Sequence, residues 1–539
     1  MSNRASTPIQ DCFFHETAIQ FLCFPLIFRG FAAVRHRRNP PAGPGYPIMP
    51  GSRKKWLPFL LLATAVLAAG CGRPRRPRNL VVIVSDALRR DILGCYGGPA
   101  RTPYIDALAR EGTVFDQAYS TSPTTMPSAV SMLTGCHART FTFDHRMVFL
   151  DYLDKKVPSA FFRVGDGVRM LAEVMAETGF DPRASIENGL VRACNLLQGF
   201  SLLPRGGDLS LERKRKIEEE LGFHGENLSE RAMYGTLDFL LHTDREKPFF
   251  LFKWIFDPHS PYDPPPRFRA GVDAAAGDLP RPGPFYSDFR NPDLRAKLDN
   301  NRMNRVEREY IAALYRAEAE SVDQRVGAIL KALEANGSRR DTLVIFTADH
   351  WECLGDYGMY GHGRAVHPPL IQVPLIFSGP GIPRGRRIPS VISHLDLTPT
   401  LAEIFKVQGT SPMQGQSYAG VFRGDRLRDR DVYFGYFSNV LAEWTGVDAY
   451  LGGGCLLIVD RRQGRPQFRL YDRNVDPERN VEMSSSRPGT VSRLFKQIQE
   501  IRKKNRELVR EHARLLRENL DSAAEIEKTR RLLESLGYL

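Results

Sequence analysis

The sequence is short of several things, and each absence narrows the field. Its 539 residues include only eight cysteines and no Cys-x-x-Cys pair. Setting aside Cys12, Cys23 and Cys71 near the start, five remain: Cys95, Cys136, Cys194, Cys353 and Cys455. An odd, scattered set is no disulfide framework and leaves room for one incidental bridge in an exported protein. Zinc-finger spacing, an RNA-binding aromatic signature and a basic region with a zipper are all missing, so nucleic acid is set aside as a partner. No internal repeat is visible, which argues against a solenoid.

What is present suits a large folded body. Hydrophobic residues make up 42% and aromatic residues 10%, enough for one big domain or two. With 25% charged residues the chain is neither disordered nor collagen-like. Lys and Arg total 75 against 62 Asp and Glu, a net charge of +13. That excess permits contact with anionic lipids or an acidic substrate. It clusters mainly at Arg35 to Arg38, at Arg73 to Arg78 and in the tail.

The N-terminal region carries an address. From Met49, the basic cluster Arg53, Lys54 and Lys55 precedes an apolar run from Trp56 to Gly70, which is short for a membrane span. Small residues then lead to Cys71. The order is that of a secretory signal peptide, and the ending Leu67-Ala68-Ala69-Gly70-Cys71 resembles a bacterial lipobox, whose cysteine is acylated. Plain cleavage after a small residue is the alternative. Residues 1–48 are read as a mis-assigned start or an extension, 49–71 as the signal segment and 72–78 as a Pro/Arg tether. The expected location is the cell envelope, as a lipoprotein of the periplasm or outer-membrane surface held by a lipid on Cys71.

Further on, Asn79 to Ser85, Pro248 to Phe256, Thr342 to Ala348 and Val373 to Phe377 are short apolar runs of the kind that form buried strands. Thr102 to Gly112, Tyr310 to Asn336 and Leu395 to Phe405 read as helices. Alternating strands and helices predict a mostly parallel sheet covered on both faces. Residues 79–406 are assigned to this domain. Residues 407–490 form a smaller subdomain with strands at Val432 to Tyr436, Leu456 to Asp460 and Gln467 to Tyr471. Residues 491–539 form a charged helix in which Leu494, Ile501, Leu508 and Leu515 recur every seven residues. A helix packed on the body is preferred there over a coiled coil.

Three of the strands end alike. Asp86 follows the first, Asp257-Pro258-His259 the second and Asp349-His350 the third. Ligands of open parallel sheets bind at this carboxyl edge. Carboxylates and imidazoles gathered there can hold a divalent cation, because clustered carboxylates repel one another unless an ion neutralises them. Each Asp could instead merely cap a turn. Ser120 to Gly135 supplies a nucleophile: Pro127 suits the first turn of a helix, which puts Thr124 and Thr125 at its anion-attracting N-terminus. A Thr hydroxyl is a weak nucleophile unless a cation lowers its pKa.

At this point a family resemblance is visible. The stretch from Val81 to Gly135 resembles the opening of the sulfatase family, within the alkaline-phosphatase superfamily. Asp341 to Gly363 with Val373 to Ile382, Pro248 to Pro265, and Leu470 to Asn480 resemble its later blocks. The resemblance implies a three-layer α/β/α sandwich with a mostly parallel sheet, a smaller C-terminal α+β subdomain and a terminal helix. It implies metal ligation by Asp86, Thr125, Asp349 and His350, with Thr125 at the nucleophile position. His259 would bind the ester or protonate the leaving group, and His362 would contact the transferred group. One divalent metal is implied: calcium or manganese by the oxygen-rich set, with zinc also a candidate. His137, His145 and His367 have no such match and are read as surface or packing residues.

The departures shape the function. Thr125 stands where sulfatases carry the Cys or Ser that becomes formylglycine, and Ala129 stands where they carry an arginine. The family's paired Asp-Asp is here Asp86-Ala87, and Trp351 replaces a glycine after Asp349-His350. Leu456 sits where a Lys is common. A Thr nucleophile resembles the phosphodiesterase and phospho-transferase branches. The expected activity is therefore metal-dependent hydrolysis or transfer of phosphate, phosphonate or sulfate esters, phosphoesters favoured. The substrate would be an anionic ester of a glycan, a lipid head group or a small molecule. A sulfuric-ester hydrolase without formylglycine and a non-catalytic sulfatase-like binding protein are the alternatives.

Overall fold

The computed structural model describes residues 76–141, 148–152, 155–159, 164–165, 167–276, 303–363, 366, 371–437, 446–473 and 481–517. The expectations for residues 1–75, Cys71 among them, for His145 and His367, and for the tail beyond 517 lie outside the described residues.

A nine-stranded sheet organises the body. Its strands are β1 (Asn79–Ser85), β2 (Thr113–Tyr119), β3 (Asp181–Ile186), β4 (Ser201–Leu202), β5 (Phe249–Ile255), β6 (Thr342–Ala348), β7 (Gln372–Val373), β8 (Leu375–Ser378) and β9 (Arg386–Ser393). They lie in the order β7-β2-β8-β6-β1-β5-β3-β4, and β9 adds to β2. The register from β3 through β5 and β1 to β6 is parallel throughout. Every side chain of β1, β5 and β6 is buried. That is why these strands read as unbroken apolar runs rather than alternating ones: helices cover both faces.

The run Val373 to Phe377 behaves differently from expectation. It splits into β7 and β8, and both run antiparallel to β2. Pro374, which lacks an N–H for the ladder, sits between them.

Helix α1 (Pro103–Arg110) packs on one face with the long α3 (Arg305–Ala335). Their close approach depends on Gly327, where a Cβ would lie 2.5 Å from the Tyr104 ring. Helix α3 begins five residues earlier than its apolar periodicity indicates. Asn304 and Glu307 form a reciprocal capping box that holds the charged first turn. On the other face, α2 (Thr125–Thr134) packs with α4 (Leu397–Phe405).

The C-terminal part is an antiparallel sheet of β10 (Val432–Phe437), β11 (Gly446–Gly452), β12 (Cys455–Asp460) and β13 (Gln467–Asp472). Helix α5 (Pro488–Arg517) lays fully buried Leu494 and Ile498 against its face. Leu456 is fully buried in this sheet, so it cannot serve as a surface group. The five cysteines from Cys95 onward are all free thiols.

Candidate metal centre and active site

The sheet order places β6, β1 and β5 side by side, so Asp349-His350, Asp86 and Asp257-Pro258-His259 leave neighbouring strands at the carboxyl edge. Thr125 reaches the same place from the start of α2. Thr124 is the N-cap in extended conformation, so Thr125 is the first helical residue, 4% exposed. Ser128, one turn on, ties the helix to the site: its hydroxyl donates to the Asp349 carbonyl at 2.6 Å.

Both carboxylates are fully buried, and each has one oxygen satisfied and one bare. Asp86 Oδ2 accepts from Asn188 Nδ2 at 2.5 Å and from Trp254 Nε1 at 2.9 Å. Asp349 Oδ1 accepts the amides of Ala87 at 3.0 Å and His350 at 2.9 Å. Asp86 Oδ1 and Asp349 Oδ2 have no hydrogen-bond partner. A buried polar atom left so costs roughly 1–3 kcal/mol, which argues that something else completes the site.

His350 faces the two bare oxygens. Its Nε2 lies 3.8 Å from Asp86 Oδ1, 3.3 Å from Asp349 Oδ2 and 3.3 Å from Thr125 Oγ1. Its Nδ1 donates to the Trp351 carbonyl at 3.1 Å, which leaves the Nε2 lone pair pointing inward. Ligand atoms of Asp86, Asp349 and His350 all fall within 4.8 Å of one another. Two carboxylate oxygens, one imidazole nitrogen and a hydroxyl thus converge on a single point. This donor set fits a divalent cation.

The electrostatics agree. Burial, and then the Asp86 charge, push the Asp349 carboxyl well above its ordinary range. Burial raises Asp86 too, against the opposing pull of His259. Burial and the neighbouring His362 hold the His350 imidazole well below its usual value, hence neutral.

Two further imidazoles overlook this point. The His362 ring lies 4.4 Å from that of His350 and 4.9 Å from that of His259. His362 Nδ1 is bonded to the fully buried Glu352 at 3.0 Å. Burial alone would lower the His362 pKa, but the Glu352 carboxylate outweighs it and carries it upward. His259 Nδ1 donates to the Ser260 carbonyl at 2.7 Å, freeing its Nε2. So the structure brings together all six residues expected at the site.

The sulfatase model matches residues 78–407. The chain belongs to the sulfatase family. It is 25% identical over 400 residues to an arylsulfatase of Clostridium perfringens, covering 67% of this chain and 81% of that protein. It is 23% identical over 447 residues to a Delta 4,5-hexuronate-2-O-sulfatase of Bacteroides thetaiotaomicron, covering 77% and 86%. Among solved structures, the phosphonate monoester hydrolase of Agrobacterium radiobacter superposes with a TM-score of 0.60 at 20% identity, covering 80% and 96%. The protein is an ester hydrolase of the sulfatase family, and members of this family bind a divalent metal.

The sulfatase departures have physical counterparts. Ala87, at the position of the missing second Asp, adopts a left-handed conformation with φ of 57°, strained for a residue with a Cβ. Its amide reaches Asp349, and its carbonyl accepts the Tyr315 hydroxyl at 2.7 Å. Trp351 is buried beneath the Arg89 guanidinium, 4.3 Å from the ring centroid. His137 packs edge-on against Tyr433 with centroids 5.1 Å apart, a structural role.

Sequence reasoning missed the supporting groups. Beneath the His259 turn, the Lys253 ammonium donates to Glu187 at 2.7 Å, and Glu187 also accepts the Phe256 amide at 3.0 Å. Arg325 pairs with Asp257, and Ser229 donates to Asp257 at 2.9 Å. Lys253 and Arg325 are fully buried. Asn188 and Glu187 follow β3 just as Asp86 follows β1, and that position at a strand end was the available signal.

Proposed function

We propose that the protein hydrolyses, or transfers from, a phosphate or phosphonate ester through a nucleophilic Thr125. The observation that carries this reading is the Thr125 hydroxyl, buried at a helix N-terminus and 3.3 Å from His350 Nε2, within the ring of bare carboxylate oxygens. Asp86, Thr125, Asp349 and His350 would hold a divalent cation, calcium or manganese by its oxygen-rich shell. Such an ion supplies positive charge that lowers the hydroxyl pKa and polarises the ester. The Thr125 hydroxyl gives its proton to solvent, and its Oγ forms the new bond to phosphorus as the bond from phosphorus to the departing alcohol oxygen breaks, that oxygen taking a proton from His259. Water, or an acceptor alcohol, then attacks the phosphothreonine, its proton passing to His259 as the bond from phosphorus to Thr125 Oγ breaks, and Oγ takes back a proton from solvent. His362, held by Glu352, faces the transferred group. A sulfated threonine has no aldehyde hydrate to expel sulfate, which favours phosphorus chemistry. The sulfatase names of the relatives favour sulfuric-ester hydrolysis as the second reading.

Thr125→Ala should abolish turnover, by at least about 10³-fold, with the thermal transition unchanged. Thr125→Ser should keep measurable activity. Full activity of Thr125→Ala overturns the mechanism. Turnover of aryl sulfate far above aryl phosphate diesters and aryl phosphonates reverses the ranking of substrates. In the same reading the enzyme is an envelope lipoprotein anchored through acylated Cys71, which the intact mass of the exported protein tests.

A further inference from the structure

The metal centre occupies the carboxyl edge of the sheet, and a basic groove occupies the opposite corner. Strand β9 pairs with β2 in parallel, Arg386 beside Thr113, so β9 starts at the amino edge. Along its outer side runs a groove of about 750 Å³ lined by Arg386, Arg387, Arg426 and Arg428 together with Asp425 and Asp429. Two of these arginines are engaged: Arg386 donates to the Val421 carbonyl at 2.6 Å, and Arg387 pairs with Asp116. Asp429 is partly spent on the Val391 amide, at 3.1 Å. Arg426 and Arg428 are exposed and carry no ion pair among the described residues; the same holds for Arg384, two residues before β9. The groove therefore carries four arginines against two aspartates, and two of those arginines, Arg426 and Arg428, hold no ion pair among the described residues.

The chain enters the fold on this same edge. The Arg78 amide donates to the Asp341 carbonyl at 2.8 Å, where β1 and β6 begin. From β1 to β9 the path crosses four strand spacings, β1-β6-β8-β2-β9, or about 19 Å. Cys71 precedes Asn79 by eight residues, a reach of at most about 27 Å, and four of the intervening residues are arginines: Arg73, Arg75, Arg76 and Arg78.

We propose that this groove docks on the anionic phosphate head groups of a phospholipid bilayer. The corner of the sheet where β9 begins then lies on the membrane, and the metal centre, at the other end of the strands and one strand length of about 23 Å from the amino edge, faces away from it. The orientation rests on the Cys71 anchor proposed above; the binding itself does not. A sulfated glycan is the rival occupant. Held in this groove, its ester would sit at the wrong edge of the sheet for Thr125.

The test uses the chain from residue 73 onward, which packs as a compact unit by itself and lacks Cys71. It should sediment with vesicles rich in phosphatidylglycerol, not with phosphatidylcholine vesicles, and high salt should release it. Arg384→Glu, Arg426→Glu and Arg428→Glu combined should weaken binding on the order of a hundredfold, with turnover of a small soluble ester unchanged. Arg215→Glu with Lys216→Glu, on the helix Leu211–Leu221, should leave binding as it was. Equal binding to both vesicle types, or unaltered binding by the triple variant, overturns the proposal. So does heparin binding that needs the three arginines in a chain that ignores vesicles. If vesicle binding holds while the exported protein carries no lipid on Cys71, the anchor reading fails and the docking surface stands.

Discussion

Asp86 and Asp349 each have one oxygen held and one left bare, and the division depends on buried neighbours. Asn188 and Trp254 hold Asp86 Oδ2, which aims Oδ1 at His350. Such outer partners commonly govern metal affinity. Asn188→Ala should weaken divalent-cation binding by about 10- to 100-fold, read by titration calorimetry, with little change in the fold; unchanged affinity would remove Asn188 from the site. The two aspartates were legible in the sequence because each directly follows an unbroken apolar strand. Asn188 was not, because β3 alternates buried and half-buried residues and so does not stand out as part of the sheet. Glu352 was hidden for another reason: its relation to His362 exists only once the chain folds back on itself ten residues later.

At the scale of elements, the helix carrying Thr125 and the helix closing the C-terminal part do opposite jobs. In the proposed mechanism helix α2 spends its N-terminus on chemistry; it ends at Gly135 in a left-handed conformation, where the amide donates to the Ser131 carbonyl. Helix α5 spends its apolar stripe on the C-terminal sheet. Leu494→Ala should cost about 2–5 kcal/mol, measured by denaturant unfolding, while leaving the metal centre intact in the folded fraction. Apolar runs revealed β1, β5 and β6, and heptad spacing revealed α5. The direction of β7 and β8 was not readable, because strand polarity follows from the connection after β6, and no local residue pattern records it. The start of α3 was readable only from its capping box, since its first turn lacks the apolar period.

For the molecule as a whole, the proposed centre would couple metal binding to protons. Burial raises both carboxyls above their ordinary range, so an arriving dication must displace whatever protons they retain. His350, already held neutral by burial, adds no proton to that exchange. Metal affinity should therefore climb as pH rises through the raised carboxyl range, by up to about tenfold per pH unit for each proton released, and then level off. Calorimetry in buffers of different ionisation enthalpy would register the protons; an affinity that falls with rising pH contradicts the assignment. The amides of Asp86, Ala87 and His350 are all bonded inside the sheet or to Asp349. No hinge separates them from β1 and β6. Their exchange with deuterated solvent should thus wait for opening of the entire sheet, which makes the reactive geometry as long-lived as the native state itself.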